Sequence, residues 1–188
     1  MRIGGTLPAG RVPGEVVYYG GGRGHAVVGK VGAEVPEPYG AWYLEAMDAH
    51  GGWIASAVDL ARFAAQFDRP GGSCVLRPET TARMFARPAG DAGYEKDGKP
   101  RDSYYACGWS VRPIGSSGTT NRWHTGSLPG TSTLMVLRHD GSGWVVLFNT
   151  RASADGEKEP AALIDPLVHK AADAVTAWPE GDWFEKLR

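Results

Sequence analysis

The fold is decided by residues 104–149, YYACGWSVRPIGSSGTTNRWHTGSLPGTSTLMVLRHDGSGWVVLFN. Four runs in this stretch are rich in aromatic and β-branched residues and are separated by turn residues, which is the pattern of short strands. These runs are Tyr104–Arg112, Thr120–Thr125, Thr131–Leu137 and Trp144–Asn149. Asp140-Gly141 is typical of a hairpin turn, so the stretch predicts an antiparallel meander. The unbroken apolar run 144–148 predicts a central strand that is covered on both faces.

Helical patterns flank this stretch on both sides. Ser56 and Asp59 form a capping pattern ahead of apolar residues at helical spacing. Pro78 suits the first position of a second helix, and Asp165-Pro166 predicts the start of a last one. That last helix carries Leu167 and Trp178 on one apolar side, so we expect it to lie across the sheet. The sequence therefore predicts an α+β fold, an antiparallel β-sheet meander flanked by helices.

Residues 1–40 carry the weakest pattern of the chain. Short strands are predicted at Val16–Tyr19 and from His25 to Val31, within an otherwise irregular segment. The chain has 188 residues, which is an ordinary size for one domain. We therefore predict a single domain over residues 1–188 with an irregular N-terminal segment.

Charge and hydropathy exclude several classes of function. The chain has 20 Lys+Arg and 21 Asp+Glu, for a formal net charge of −1, which gives no basis for binding nucleic acid or an anionic membrane surface. No apolar run reaches the ~18–20 residues that span a membrane, and the first residues lack the layout of a secretory signal. We expect a cytoplasmic protein as the sequence stands, or an exported one if a further segment precedes it.

Neither the cysteines nor the scattered histidines indicate a metal site. Cys74 and Cys107 are too few for a disulfide framework, and we expect them to be buried thiols that act as small apolar side chains. His25, His50, His139 and His169 are scattered and lack the spacing of metal ligands. We therefore predict no metal and no cofactor.

Chemistry is indicated at the end of one predicted strand, at His124-Thr125-Gly126-Ser127. Gly126 has no Cβ, so a ligand could approach the backbone closely and the amide of Ser127 could point at it. His124 could carry a proton or donate a hydrogen bond, because imidazole titrates near neutral pH. The alternative is that Gly126 and Gly130 only shape a hairpin and that His124 is a surface residue of the strand.

Five segments, taken in order, resemble one family of enzymes. They are Gly51–Phe63, Leu76–Met84, Tyr105–Trp109, His124-Thr125-Gly126 with Pro129-Gly130 and Ser132, and Trp144–Asn149 followed by a helix. Together, over residues 50–178, they resemble the C-terminal half of the class C type of serine β-lactamases, D-alanyl-D-alanine carboxypeptidases and esterases. His124-Thr125-Gly126 is similar to the family signature in which Lys or His precedes Thr/Ser-Gly.

The resemblance implies acyl transfer from a small-molecule ester or amide to a serine. In this family the serine of a Ser-x-x-Lys motif forms the acyl-enzyme. His124 and Thr125 would contact the substrate or assist proton transfer, and the N–H of Ser127 would be one oxyanion-hole donor. Gly126, Gly130 and Ser132 would line the substrate. Histidine in place of the more usual lysine favours an esterase, amidase or peptidase over a β-lactamase, because neutral imidazole anchors a carboxylate less strongly than ammonium.

Two signatures of the family are absent from the sequence. No serine has Lys three residues later, and no tyrosine is followed at the second position by Asn. The first hypothesis is therefore the C-terminal half of a serine hydrolase that is inactive alone, with an exposed sheet face that a second copy or a partner chain covers. The second is a non-catalytic binding or structural module. The third is a self-sufficient hydrolase that uses Ser127 or Ser132 as a different nucleophile.

Overall fold

The chain combines short strands and helices with one larger sheet. The computed structural model describes residues 1–20, 22–68, 75–116, 118–152, 156 and 158–187. Within these residues the strands are β1 (Arg2–Ile3), β2 (Arg23–His25), β3 (Glu34–Pro36), β4 (Trp53–Ile54), β5 (Tyr104–Tyr105), β6 (Ser110–Ile114), β7 (Thr119–Leu128), β8 (Thr131–Leu137) and β9 (Gly143–Phe148). The α-helices are α1 (Leu44–Met47), α2 (Ala57–Ala65), α3 (Pro78–Met84) and α4 (Pro160–Asp173).

The main sheet has five antiparallel strands, in the order β5-β6-β7-β8-β9. Each strand is hydrogen-bonded to the one that follows it along the chain, which is the arrangement of a meander. β1 pairs with β4 and β2 pairs with β3 in two small antiparallel sheets. The predicted α+β fold with an antiparallel meander and helices is confirmed.

The first predicted strand of the meander is divided into two. β5 and β6 are separated by a turn in which Gly108 has φ 76° and the N–H of Ala106 donates to the carbonyl of Trp109 at 2.7 Å. β6 pairs with β7 from Ile114 opposite Thr119 to Ser110 opposite Trp123. β7 continues beyond the end of β6, and this extension carries the residues in which sequence analysis placed the chemistry.

The strand predicted to be central lies at one end of the strand order. β9 has only β8 beside it in the sheet as described, and Leu147 is 38% exposed. A short segment lies against the residue that follows β9, since the N–H of Tyr19 donates to the carbonyl of Asn149 at 2.8 Å. The predicted strand Val16–Tyr19 is reduced to this single bridge, formed between Tyr19 and Thr150. Continuous apolarity therefore did not indicate a central position.

Two predicted helix starts are confirmed by their geometry. The N–H of Asp59 donates to Ser56 Oγ at 3.1 Å, and the N–H of Ser56 donates to Asp59 Oδ2 at 3.2 Å. These reciprocal bonds are a capping box, which satisfies two N–H groups at the beginning of α2. Pro78 occupies the first turn of α3, where its missing N–H costs nothing.

The last helix begins earlier than Asp165-Pro166, so that prediction is wrong. α4 starts at Pro160, and Glu159 precedes it with an extended backbone of φ −70° and ψ 142°. Glu159-Pro160 is the same kind of start signal as Asp165-Pro166, and the helix uses the first of the two. The expected apolar side is open at Leu167, which is 60% exposed. Trp178 was expected on the same side, but the helix ends at Asp173, before it.

The chain divides into two compact units. The first comprises residues 1–59, 125–133 and 146–181, and the second comprises residues 60–124, 134–145 and 182–188. The second unit contains the main hydrophobic core of the described residues. Its buried members are Ala64, Phe85, Tyr104, Trp109, Val111 and Leu137.

Aromatic side chains hold this core together. Phe67, Phe85 and Trp109 meet edge to face with ring centroids 5.9–6.1 Å apart, a geometry that adds to the free energy of burial. Tyr104 and Trp109 are buried members of this core, whereas Tyr105 is 55% exposed.

The cysteine prediction fails where the structure tests it. Cys107 is exposed and carries a free thiol, so it is not a small apolar side chain of the core. Cys74 lies outside the described residues.

The first unit has little core of its own among its described residues. Its buried apolar side chains are Ala26 and Ala161, both of them small. Several of its large apolar side chains are exposed by about half or more, including Val16, Trp42, Trp53 and Leu167. Within the described residues, no helix has the length and the apolar composition that crossing a membrane requires.

Candidate active site

The turn after β7 is built around Gly130. Its φ of 83° lies in the left-handed region, and a Cβ there would lie 2.8 Å from the Cβ of Tyr18 and 3.0 Å from Pro38 Cγ. Pro129 followed by a glycine with positive φ is the pattern of a type II turn. The N–H of Leu128 donates to Thr131 Oγ1 at 3.3 Å across the turn. Only glycine meets both the conformational and the spatial requirement at position 130.

A neighbouring side chain explains the glycine at position 126. A Cβ on Gly126 would lie 2.5 Å from Thr133 Oγ1, a distance that forces one of the two to move. The same hydroxyl donates to the carbonyl of Gly126 at 3.4 Å. The sequence suggested that the missing Cβ makes room for a ligand, and in the structure that space lies against Thr133.

Ser127 is connected to the start of the last helix. It is exposed, as is Thr125, and its hydroxyl donates to Glu159 Oε1 at 2.5 Å. Arg151 Nε binds the same oxygen at 3.1 Å. The hydrogen bond from Ser127 lowers the pKa of the Glu159 carboxyl, and the hydrogen bond and charge of Arg151 lower it further. Glu159 is therefore a carboxylate at neutral pH.

Ser132 reaches the same carboxylate from the interior. It is 0% exposed, and its hydroxyl lies 3.5 Å from Glu159 Oε2. That hydroxyl also accepts a hydrogen bond from the N–H of Ala161 at 3.2 Å. The structure thus brings Ser127 and Ser132 together at Glu159. The hydroxyl of Ser132 is bound to Glu159 and Ala161 in the interior of the protein.

His124 is the last residue of β7 that belongs to the second unit. Its imidazole is half-buried and therefore not deep in the hydrophobic interior. The hydroxyl of Tyr105 lies 2.9 Å from His124 Nε2, and the two ring centroids are 5.8 Å apart at an interplanar angle of 60°. His124 therefore has a tyrosine as its hydrogen-bond partner, and its position agrees with the predicted surface strand and with a functional role alike.

Sequence reasoning missed Glu159, Arg151 and the contact of Tyr105. The sequence does contain a signal for Glu159, because an acidic residue before a proline marks a helix start. Glu159-Pro160 precedes the predicted start at Asp165-Pro166. No local pattern joins Tyr105 to His124, which lies 19 residues further along the chain. Among the residues that the structure describes, no three His, Cys, Asp or Glu side chains gather as metal ligands would.

The fold and these motifs agree with the comparison with known families. A family model described as Beta-lactamase matches residues 7–168. The chain therefore belongs to the beta-lactamase family. The match includes residues 7–49, which precede the segment in which the sequence resemblance was recognised. No curated protein matches the chain.

Proposed function

We propose that this chain supplies one wall of the reaction site of an acyl-transferring serine hydrolase. The nucleophile would come from a Ser-x-x-Lys segment outside the sequence given, because no serine of the chain has a lysine three residues later. Membership of the beta-lactamase family supports acyl transfer as the reaction. The nucleophilic serine would attack the carbonyl of an ester or amide, form the acyl-enzyme and expel the alcohol or amine, and water would then release the acid.

The candidate residues have distinct roles in this proposal. His124 and Thr125 would contact the substrate or assist proton transfer, and the N–H of Ser127 would donate to the oxyanion. The strand and the turn require glycine at positions 126 and 130, because a Cβ there would lie too close to Thr133 or Tyr18. Ser132 is buried in β8, and its hydroxyl lies 3.5 Å from Glu159 Oε2. Loss of one oxyanion donor typically costs about 10²–10³ in rate, so this strand contributes to catalysis without performing it alone.

The charge beside Ser127 favours a neutral substrate. Glu159 already accepts a hydrogen bond from the Ser127 hydroxyl and pairs with Arg151. A carboxylate on the substrate would meet the negative charge of Glu159 and would find the Ser127 hydroxyl already engaged. Neutral esters and amides meet no such repulsion. We therefore favour an esterase or amidase over an enzyme that selects β-lactam carboxylates.

The observation that carries the proposal is the small core of the first unit. Its buried apolar side chains are two alanines, while large ones such as Trp42, Trp53 and Leu167 are exposed. An apolar surface of this kind is typical of a protein that packs against something further. A further segment, a partner chain or a second copy would cover it.

The non-catalytic hypothesis predicts that residues 1–40 cover the sheet face that the first hypothesis leaves exposed. Val16, Val17, Tyr19 and Val31 of that segment are themselves exposed, which favours the first hypothesis. If the module were non-catalytic, the completed protein would still fold and would bind without forming an acyl-enzyme.

A covalent serine probe tests the proposal. The chain alone, and a longer polypeptide that includes any sequence encoded upstream of it, would be treated with a fluorophosphonate and digested for mass spectrometry. We expect no labelled serine in the chain alone and one labelled serine, within Ser-x-x-Lys, in the longer polypeptide. A labelled serine in the isolated chain would favour the self-sufficient hydrolase. A folded longer polypeptide that stays unlabelled, or one without Ser-x-x-Lys, would favour the non-catalytic module.

A further inference from the structure

Tyr105 is the only partner that the described contacts give to the ring nitrogens of His124. Its hydroxyl lies 2.9 Å from Nε2, within ordinary hydrogen-bond distance. The rings are tilted at 60° with centroids 5.8 Å apart, so they touch at their edges without stacking face to face. The contact therefore consists mainly of one directed hydrogen bond.

Packing does not explain why a tyrosine stands at position 105. Tyr105 is 55% exposed, whereas the adjacent Tyr104 is 9% exposed. Tyr104 donates its hydroxyl proton to the carbonyl of Phe85 at 3.0 Å and is a member of the buried core. Two consecutive tyrosines thus point to different environments, one in the core and one at the imidazole.

The chemistry of the two groups favours one direction for this hydrogen bond. Neutral imidazole has one N–H donor and one acceptor nitrogen. A phenol is a good donor, and the acceptor nitrogen of imidazole is a strong acceptor. Donation from the Tyr105 O–H to Nε2 is therefore the favoured arrangement, and it requires the imidazole proton on Nδ1.

We propose that Tyr105 is a positioning residue that fixes the tautomer and the ring orientation of His124. This inference rests on the proposed function for its catalytic meaning, because His124 is the basic residue of the strand that would line the reaction site. With Nε2 bound to the phenol, His124 offers Nδ1–H as its donor. Tyr105 lies outside both missing signatures of the family, so it would act whatever segment supplies the nucleophile.

The tautomer is measured directly in the isolated chain. Long-range ¹H–¹⁵N correlation spectra of the uniformly ¹⁵N-labelled protein, recorded at about pH 8.5 where imidazole is neutral, report which ring nitrogen carries the proton. His124 is assigned by the signals that disappear in His124→Asn. The variant is Tyr105→Phe, which keeps the ring and removes the hydroxyl from an exposed position. Tyr94→Phe is the control, since Tyr94 is an exposed tyrosine of the same unit that packs against Arg87.

We expect the Nδ1–H form of His124 to predominate in the wild type. Tyr105→Phe should move the ratio toward the Nε2–H form by about fivefold, the change that loss of one neutral hydrogen bond gives, and Tyr94→Phe should leave it unchanged. A wild-type spectrum dominated by Nε2–H, or a ratio that Tyr105→Phe does not alter, would overturn the inference. The spectrum does not depend on acylation, so failure of the proposed function leaves this result standing and is recognised separately with the serine probe.

Discussion

The buried hydroxyl of Ser132 accepts a hydrogen bond from the backbone N–H of Ala161, at 3.2 Å. Ser132 lies in β8 and Ala161 in the first turn of α4, so a strand residue caps the helix. Glu159, at the N-cap position itself, makes no side-chain cap and instead binds Ser127 and Arg151. The beginning of the last helix and the end of β7 are therefore held by one network of polar groups.

Ser132→Ala is expected to destabilise the protein by about 1–2 kcal/mol, because it removes a cap and leaves a buried N–H without its acceptor. Urea unfolding measures the free energy, and hydrogen exchange at Ala161 locates the loss. Ser142→Ala is the matched control, since the Ser142 hydroxyl donates to Asp140 on an exposed hairpin. Equal losses in the two variants would contradict the capping role.

Glu159→Gln tests the contribution of the carboxylate charge to stability. The pKa of Glu159 is lowered in the folded protein, chiefly by the hydrogen bond from Ser127. The charged form therefore stabilises the fold above the unfolded pKa, and this stability is lost as the pH falls through the folded pKa. The side chain is 36% exposed, so the loss at pH 7 should be at most about 1 kcal/mol after solvent screening.

The difference between wild type and Glu159→Gln should thus shrink toward zero as unfolding is measured at lower pH, below the range in which carboxylates titrate. Glu95→Gln provides the comparison, because Glu95 pairs with Arg101 at 3.4 Å on the surface and exposed pairs contribute little. A Glu159→Gln difference that is independent of pH would exclude the charge as its cause.

Local patterns predicted the parts of the fold that local physics decides. The capping box of Ser56 and Asp59 and the start of α3 at Pro78 depend on neighbours in sequence, and both are as predicted. The position of β9 in the sheet depends on which other strands exist to cover it, and this is not encoded in its apolar run. The start of α4 was ambiguous because two acidic-proline pairs stand six residues apart.

In the candidate site too, residues that are neighbours in sequence were predicted and contacts between distant residues were not. His124, Thr125, Gly126 and Ser127 were found because they are contiguous in the sequence. Glu159 lies 32 residues after Ser127, and only the fold brings the two together. Tyr104 is buried in the core and Tyr105 is exposed beside His124. No signal in the sequence distinguished the two tyrosines.

Asp68→Asn is expected to stabilise the protein at neutral pH. Burial raises the pKa of Asp68, and the charge of Asp140 adds to this, while Arg122 opposes it. A raised folded pKa means that the charged form costs stability above that pKa and that the cost disappears below the unfolded pKa. Because the group is partly exposed, a gain of about 0.5 kcal/mol at pH 7 is expected, with none in acid. A loss of stability in urea unfolding at pH 7 would show instead that attraction to Arg122 dominates.

Gly126 and Thr133 form a pair whose coupling a double-mutant cycle can measure. Gly126→Ala places a Cβ 2.5 Å from Thr133 Oγ1, and overpacking of this kind typically costs about 1–3 kcal/mol. Without that contact, alanine would be preferred to glycine in a strand. Thr133→Ala removes the obstructing hydroxyl and breaks only its 3.4 Å bond to the carbonyl of Gly126. The double variant should therefore be at least as stable as Thr133→Ala alone, with a coupling energy of about 1 kcal/mol or more. Additive losses in urea unfolding would mean that the backbone at position 126 requires glycine for a reason other than Thr133.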